Sequence, residues 1–241
     1  MNQSKLFISF LVAPAFVILF AVVFYPFIYN IVLSFSNMNL YRIYDWSIIG
    51  IKQYTRIFTE PSQPSFYLIF WKTFVWTFVN VFFHVVIGVA LALILNQNLK
   101  GRSVFRTLLI LPWAIPQYIV ALTWRGMFNY EYGTINLFIT RYFNLPAVEW
   151  LKDPVNAFVA CIITNVWLGF PFMMVIALGA LQSIPHELYE AAEIDGARWH
   201  HKLRAITLPL IRPVMIPAIT LGMIWTFNNL NIVWLVSNAG E

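Results

Sequence analysis

The sequence predicts an all-α integral membrane protein, a bundle of five transmembrane helices. Of its 241 residues, 60% are hydrophobic and only 10% are charged, whereas about a quarter of a soluble domain is charged. Five apolar runs are long enough to cross a bilayer, which takes about 20 residues. Because these runs lack the alternation of barrel strands, and only helices and closed barrels satisfy their backbone hydrogen bonds in lipid, we expect helices.

The five predicted spans follow the apolar runs along the chain. They lie at about 7–35, 68–96, 105–127, 155–181 and 213–237. The first run is too long for a cleaved signal peptide, whose apolar core takes about 7–15 residues. The stretch EPSQPS, residues 60–65, is predicted to break the chain before the second span.

Lysines and arginines near the span ends predict the orientation. One set lies in the shorter loops and is placed in the cytoplasm: Lys5, Lys100, Arg102, Arg106, Arg198, Lys202, Arg204 and Arg212. This orientation also puts residues 182–212, called the charged loop below, in the cytoplasm. Five spans then leave Glu241 on the outside.

The charged loop is predicted to form two short helical pieces. Pro185 suits a first helical turn, two glutamates follow it at the positive end of the helix dipole, and Gly196 suits a helix stop with positive φ. We therefore expect a helix over 185–195 and a second amphipathic piece that Pro209 and Pro213 end before the fifth span. Such a helix favours docking into a groove of another protein; an ordinary solvated loop is the alternative.

The charged loop also carries a complete sequence motif: Glu190-Ala191-Ala192, three residues, Gly196, nine residues, and Ile206-Thr207-Leu208-Pro209. The motif resembles the EAA loop of binding-protein-dependent ABC transporter permeases. Stretches typical of the sugar-permease branch are GIKQYTRIF (50–58), NLKGRSVFRTLLILPWAIP (98–116), WRGMFNYEYGTIN (124–136) and ALQSIPHELYEAAEIDGA (180–197). The stretches NVWLGFPF (165–172) and FNNLN (227–231) are most similar to the maltose-type subunit. The sequence departs from the family at Gln53, where Asn is usual, and at Trp199, one position early.

This resemblance implies the role and the partners of the charged loop. In the family, the EAA helix sits in a cleft of a cytoplasmic ATPase subunit and transmits ATP-driven closure to the membrane helices. The matching coupling residues are Glu190, Ala191, Ala192, Asp195, Gly196, Ile206, Leu208 and Pro209. The implied partners are a second, different permease subunit, two cytoplasmic ATPase subunits and an extracytoplasmic sugar-binding protein, around a bacterial or archaeal plasma membrane.

The family core has six helices, so the resemblance also implies one more helix than the chain contains. We expect a natural protein about 40–50 residues longer, the length of one loop and one span. The resemblance implies no cofactor for this chain, since the partner subunit binds ATP. In agreement, no phosphate-binding loop of the G-x-x-x-x-G-K-[ST] type occurs.

Polar residues inside apolar runs suggest a substrate path, because such groups usually face a helix bundle or a wet cavity. They are Asn80, Gln117, Asn165, Asn228 and Asn229. Helix–helix hydrogen bonding is the alternative for each of them. On the fourth and fifth spans, however, amides stand beside aromatic rings, and proteins hold sugars with rings on C–H faces and amides on hydroxyls.

The resemblance to the maltose-type subunit implies which residues bind the sugar near the bilayer midplane. They are Asn165, Leu168, Gly169, Phe172, Gly222, Trp225, Thr226 and Asn229. Gly169 is expected to let a sugar ring approach the backbone. Gly222 and Thr226 stand where that subunit usually has Ser and Asn, and Trp225 where it has Phe, so the same sugar is not assumed.

The sequence gives little support for metal binding, catalysis, nucleic-acid binding or proton transfer. No metal cluster or nucleophile–base set stands out, and no basic tract indicates nucleic-acid binding. His84 is alone in the second span, where a structural histidine is favoured over a proton relay. Cys161 lies in an apolar run and is expected to be a small buried hydrophobe.

The predicted function is that of the permease subunit of an ATP-driven, binding-protein-dependent importer of maltose, maltodextrin or a related oligosaccharide. One alternative is a permease for another sugar or polyol. A second is an ion-coupled secondary transporter, which generally needs ionisable groups at midplane and repeat symmetry that the spans lack. A third is a membrane scaffold or receptor whose charged loop binds an adaptor.

Overall fold

A computed structural model describes residues 3–60 and 65–237. Its elements are helices, as predicted, with one isolated antiparallel bridge between Ser36 and Ile48. The described part of the chain forms two compact units, one up to Phe70 and one from Trp71 onward. Most of the predicted breaker, residues 61–64, and the chain end at Glu241 lie outside the described residues.

The first unit contains one long apolar helical segment. Its helices are α1 (Gln3–Leu19), α2 (Tyr25–Ser34) and α3 (Lys52–Thr59). A π-helical turn, Phe20–Phe24, joins α1 to α2, so that Phe7–Ser34 is continuous and apolar enough to span a membrane. The π-turn lies where the ring of Pro26 would otherwise meet the carbonyl of residue 22, and its wider geometry accommodates the proline.

The second unit contains the remaining helices. They are α4 (Phe66–Leu95, which begins in the first unit), α5 (Arg102–Ala114), α6 (Gln117–Met127), α7 (Thr134–Phe143), α8 (Pro154–Gln182), α9 (Glu187–Ile194), α10 (Trp199–Lys202), α11 (Leu208–Phe227) and α12 (Leu230–Ser237). Among the described residues, α4, α8 and the segment Trp199–Phe227 are long and apolar enough to cross a membrane, as is Phe7–Ser34.

The predicted third span is not one continuous helix. It is divided into α5 and α6, whose axes differ by 92°, and the pair is either a broken span or a re-entrant loop. The break is at Ile115, which is extended with φ −82° and ψ 136°. Proline at 116 lacks an N–H donor and disfavours helical geometry in the residue before it, which explains why the helix stops there.

The predicted proline break before the fifth span is wrong. From Trp199 the chain runs through α10, a π-helical turn (Leu203–Thr207) and α11 as one helical segment ending at Phe227. Again the π-turn lies one turn before a proline, Pro209, and accommodates it. The helix instead breaks at Asn228 and Asn229, so that the predicted 213–237 span is divided into α11 and the short α12.

Two buried clusters hold the second unit together. The first joins α4, α8 and α11 through small and flexible side chains around Met173 and Met174. Gly88 permits this contact, because a Cβ there would lie 2.7 Å from the Met173 Cβ. The second cluster joins α4, α6, α8 and α12, and it contains Trp76 and Cys161; Cys161 is buried and free, as predicted.

Candidate functional site

The second unit contains an open cavity of about 480 Å³ beside the break between α5 and α6. The eight residues predicted to bind sugar all line it: Asn165, Leu168, Gly169, Phe172, Gly222, Trp225, Thr226 and Asn229. The remaining wall residues are His84, Trp113, Ala114, Ile115, Pro116, Gln117 and Met173. We call this space the aromatic cavity. The fold thus brings the predicted residues together, while their role in binding stays a prediction.

An asparagine of α8 is paired at the cavity wall with an asparagine of the break between α11 and α12. The Asn229 amide nitrogen donates to the Asn165 Oδ1 at 3.0 Å. The Asn229 Oδ1 accepts from the backbone N–H of Ile232 at 3.3 Å, which caps the first turn of α12. The break after α11 is what turns Asn229 toward α8. Both polar groups of Asn229 therefore have one partner each within the protein.

Asn165 has a free hydrogen-bond donor. Its side chain is buried, and the Nδ2 group has no partner among the described residues. An unsatisfied buried donor costs about 1–3 kcal/mol. Asn165 lines the aromatic cavity, but this nitrogen lies beneath the cavity surface, so a ligand oxygen would reach it only after the side chain rotates.

Three aromatic rings form one wall of the cavity. The centroid of Phe172 lies 5.2 Å from that of Trp225 and 6.0 Å from that of Trp113. Trp225 is 55% exposed, which leaves ring surface available. Trp113 was not among the predicted residues, because only the bend at Pro116 brings α5 to this wall. The two prolines at the ends of PWAIP, Pro112 and Pro116, were the available signal.

The imidazole of His84 packs against the backbone of Gly169. A Cβ at residue 169 would overlap the imidazole of His84, so the ring that approaches this backbone is the protein's own, rather than the expected sugar ring. The His84 Nε2 also lies 2.9 Å from the backbone oxygen of Asn165. This contact agrees with the structural role predicted for His84, but the ring also lines the cavity.

The other polar residues of the spans differ in position. Gln117 lines the cavity and accepts a hydrogen bond from Asn231 at 3.3 Å, which joins α6 to α12. Asn80 is buried away from the lining and donates to the carbonyl of Trp76. Asn228 is exposed and donates to a carbonyl of its own helix. Of the five polar residues predicted to mark a substrate path, Gln117, Asn165 and Asn229 line the cavity.

The charged loop forms the helix α9, which starts later than the predicted 185–195. It ends as predicted, with Gly196 at φ +75°. The N–H of Ala197 reaches back to the carbonyl of Ala192 at 2.8 Å and that of Gly196 to Glu193 at 3.0 Å, a Schellman stop. Most of the coupling residues implied by the motif are exposed: Glu190, Ala191, Asp195, Gly196, Leu208 and Pro209, whereas Ala192 and Ile206 are half-buried.

Two side-chain contacts tie α9 to the start of the following helical segment. The Tyr189 hydroxyl lies 3.0 Å from Oγ1 of the buried Thr207. The Thr207 hydroxyl in turn donates to the Lys202 carbonyl. Lys202 also donates to Glu193 at 2.6 Å. The hydrogen bond, and then the charge, of Lys202 lowers the pKa of Glu193. The ion pair is therefore intact at neutral pH, and its contribution is lost as the pH falls through that lowered pKa.

The chain is similar to known membrane components of transport systems. Residues 84–239, more than half of the chain, match the family described as binding-protein-dependent transport system inner membrane component. The galactooligosaccharides transport system permease protein GanP of Bacillus subtilis is 38% identical over 93% of this chain and 55% of GanP. The trehalose/maltose transport system permease protein MalF of Thermococcus litoralis is 40% identical over 80% of this chain and 64% of MalF.

The likeness extends to the fold. A chain in the crystal structure of a bacterial ABC transporter involved in the import of the acidic polysaccharide alginate superimposes with a TM-score of 0.78. The match covers 98% of this chain and 81% of that one, at 20% identity. It confirms the predicted all-α membrane fold. The chain spans little more than half of GanP and under two thirds of MalF.

Proposed function

The chain belongs to the family of binding-protein-dependent transport system inner membrane components, and we propose that it is the membrane-spanning permease subunit of an ATP-driven sugar importer. It is a multi-pass membrane protein and not itself an enzyme. The observation that carries the proposal is the aromatic cavity, where amides and rings line one space. Its volume of about 480 Å³ lies within the range of about 300–1,000 Å³ that is usual for small-molecule sites.

The substrate that fits the cavity best is a neutral oligosaccharide. None of the described residues that line it is Asp, Glu, Lys or Arg, so nothing there favours a charged sugar or a coupling ion. Aromatic faces with amide donors and acceptors suit sugar rings and hydroxyls. The names of the relatives, for galactooligosaccharides and for trehalose or maltose, support maltose, maltodextrin or a related oligosaccharide.

The partner that fits α9 is a cytoplasmic ATPase. The helix presents Glu190 and Ala191 to solvent, and the Schellman stop at Gly196 gives it a defined end. Its ties to Lys202 and Thr207 connect it to the helical segment that continues as α11, which carries Trp225. We propose two such ATPase subunits, a second and different permease subunit, and an extracytoplasmic sugar-binding protein.

Transport assays in proteoliposomes test this proposal. The complex purified with its partner subunits is expected to take up labelled maltose, maltodextrin or galactooligosaccharide only with internal ATP and the sugar-loaded binding protein. An ionophore that collapses ion gradients should leave this uptake unchanged. Uptake that needs no ATP and stops with the ionophore would support the secondary-transporter alternative instead.

We expect the Tyr189 hydroxyl to contribute to coupling. Tyr189→Phe keeps the ring and loses only the contact with Thr207, and a net hydrogen bond is worth about 0.5–1.5 kcal/mol. Sugar-stimulated ATP hydrolysis should fall roughly 2- to 10-fold, by the same energy, while the complex still assembles. Tyr132→Phe, at a tyrosine that is exposed on the loop before α7, is the matched control. Equal activity in both variants would remove this contact from the coupling route.

A further inference from the structure

His84 is the polar side chain of the aromatic cavity that the proposed function leaves unused. It is only 4% exposed, within α4, yet its ring belongs to the cavity wall. It is also the one residue there with an ionisable ring, among the described residues that line the space. A purely structural histidine would need no access to the cavity.

The position and the tautomer of this ring are determined by α8. A backbone carbonyl only accepts, so the contact of 2.9 Å with the Asn165 oxygen requires His84 to carry its proton on Nε2 and to donate it. Gly169 leaves the space into which the imidazole fits. In the neutral ring Nδ1 then has a lone pair and acts as an acceptor. No described residue donates to it.

The cavity wall therefore offers an unused acceptor on His84, and the unused Nδ2 donor of Asn165 is buried behind the same wall. A sugar hydroxyl can both donate and accept. We infer that His84 is a specificity-determining residue for the transported sugar, an inference that rests on the proposed function. The His84 Nδ1 accepts a hydrogen bond from a sugar hydroxyl.

This inference predicts a dependence on the hydroxyl proton, which a structural histidine would not produce. A deoxyfluoro sugar keeps the size of the hydroxyl but has no proton to donate. Replacing the hydroxyl that contacts His84 by fluorine should slow transport, and the loss should disappear once Nδ1 is removed. His84→Leu removes both ring nitrogens, whereas His84→Gln keeps an N–H donor and an oxygen acceptor.

The experiment measures transport by the complete complex in proteoliposomes, with the same saturating, sugar-loaded binding protein for every variant. The probes are maltose and its set of monodeoxyfluoro analogues, and the readout is the ratio of the analogue rate to the maltose rate. Using one binding protein throughout cancels its own preference. For the unmodified complex we expect one analogue to be roughly 2- to 10-fold slower than maltose, as expected for one net hydrogen bond.

The variants then decide the inference. The His84→Leu complex should transport that analogue at the same rate as maltose. The His84→Gln complex should still transport it more slowly than maltose. The inference is overturned if every ratio in His84→Leu equals that of the unmodified complex, or if no analogue is slowed at all. If His84→Leu does not assemble, His84→Ala, whose small side chain clears Gly169 and has no acceptor, replaces it with the same expected and contrary results. Failure of the unmodified complex to transport any sugar would refute the proposed function itself.

Discussion

Replacing Gly196 by Asp is expected to permit membrane insertion but to abolish sugar-dependent ATP hydrolysis. Gly196 ends α9 with φ +75°, and the space around its Cα is open, since a Cβ there would meet nothing within 4 Å. The penalty is therefore conformational rather than steric. A side chain at positive φ costs about 1 kcal/mol or more, and relaxing φ would redirect the chain into α10. The proposed coupling helix would then no longer align with the ATPase.

The measurement compares ATP hydrolysis by the purified complex with and without the sugar-loaded binding protein. Co-purification of the ATPase subunits reports assembly separately. Ala197→Asp is the matched control, because it places the same carboxylate one residue later, where φ is not positive, and it should lose much less activity. If Gly196→Asp assembles and transports normally, this position has no role in coupling.

Uptake is expected to fall about five- to 150-fold when Trp225 is replaced by Ala. Trp225 packs on Phe172 with ring centroids 5.2 Å apart, and it lines the cavity. Loss of a stacking contact or a buried hydrogen bond costs roughly 1–3 kcal/mol. Trp225→Phe keeps an aromatic face and should lose much less, with a change in which sugars are carried.

Asn229→Ala is expected to cause a loss of similar size. The change removes the donor to Asn165 and also the cap on the Ile232 N–H. Asn229→Ser separates the two effects, since serine still caps a helix but has no amide group. If pairing with Asn165 matters, Asn229→Ser should transport as poorly as Asn229→Ala.

Both substitutions are measured by uptake of a panel of labelled α-glucosides, alongside ATP hydrolysis stimulated by the binding protein. Assembly with the ATPase should be preserved, because neither residue belongs to the charged loop. Unchanged uptake of every transported sugar in Trp225→Ala and Asn229→Ala would place the sugar site elsewhere. A shift in which sugar is carried would support the aromatic cavity strongly.

The sequence by itself determined the class of fold, the family and the end of α9. Long apolar runs indicate membrane helices because burial in lipid depends on composition, which is local. The EAA motif predicted the family that the match over residues 84–239 confirms. The positive φ of Gly196 was also predictable, since a helix stop is a property of a few consecutive residues.

Only the tertiary structure decided how the helices break and what the cavity wall contains. Proline ends a helix at 116 but not at 209, because a π-turn before Pro209 accommodates its ring. Asn165 meets Asn229 across 64 residues of sequence, and His84 meets the Asn165 carbonyl across 81. Such contacts depend on the packing of α4, α8 and α11, which no short stretch of sequence specifies. The aromatic cavity is therefore a product of packing, although most of its polar and aromatic residues could be named in advance.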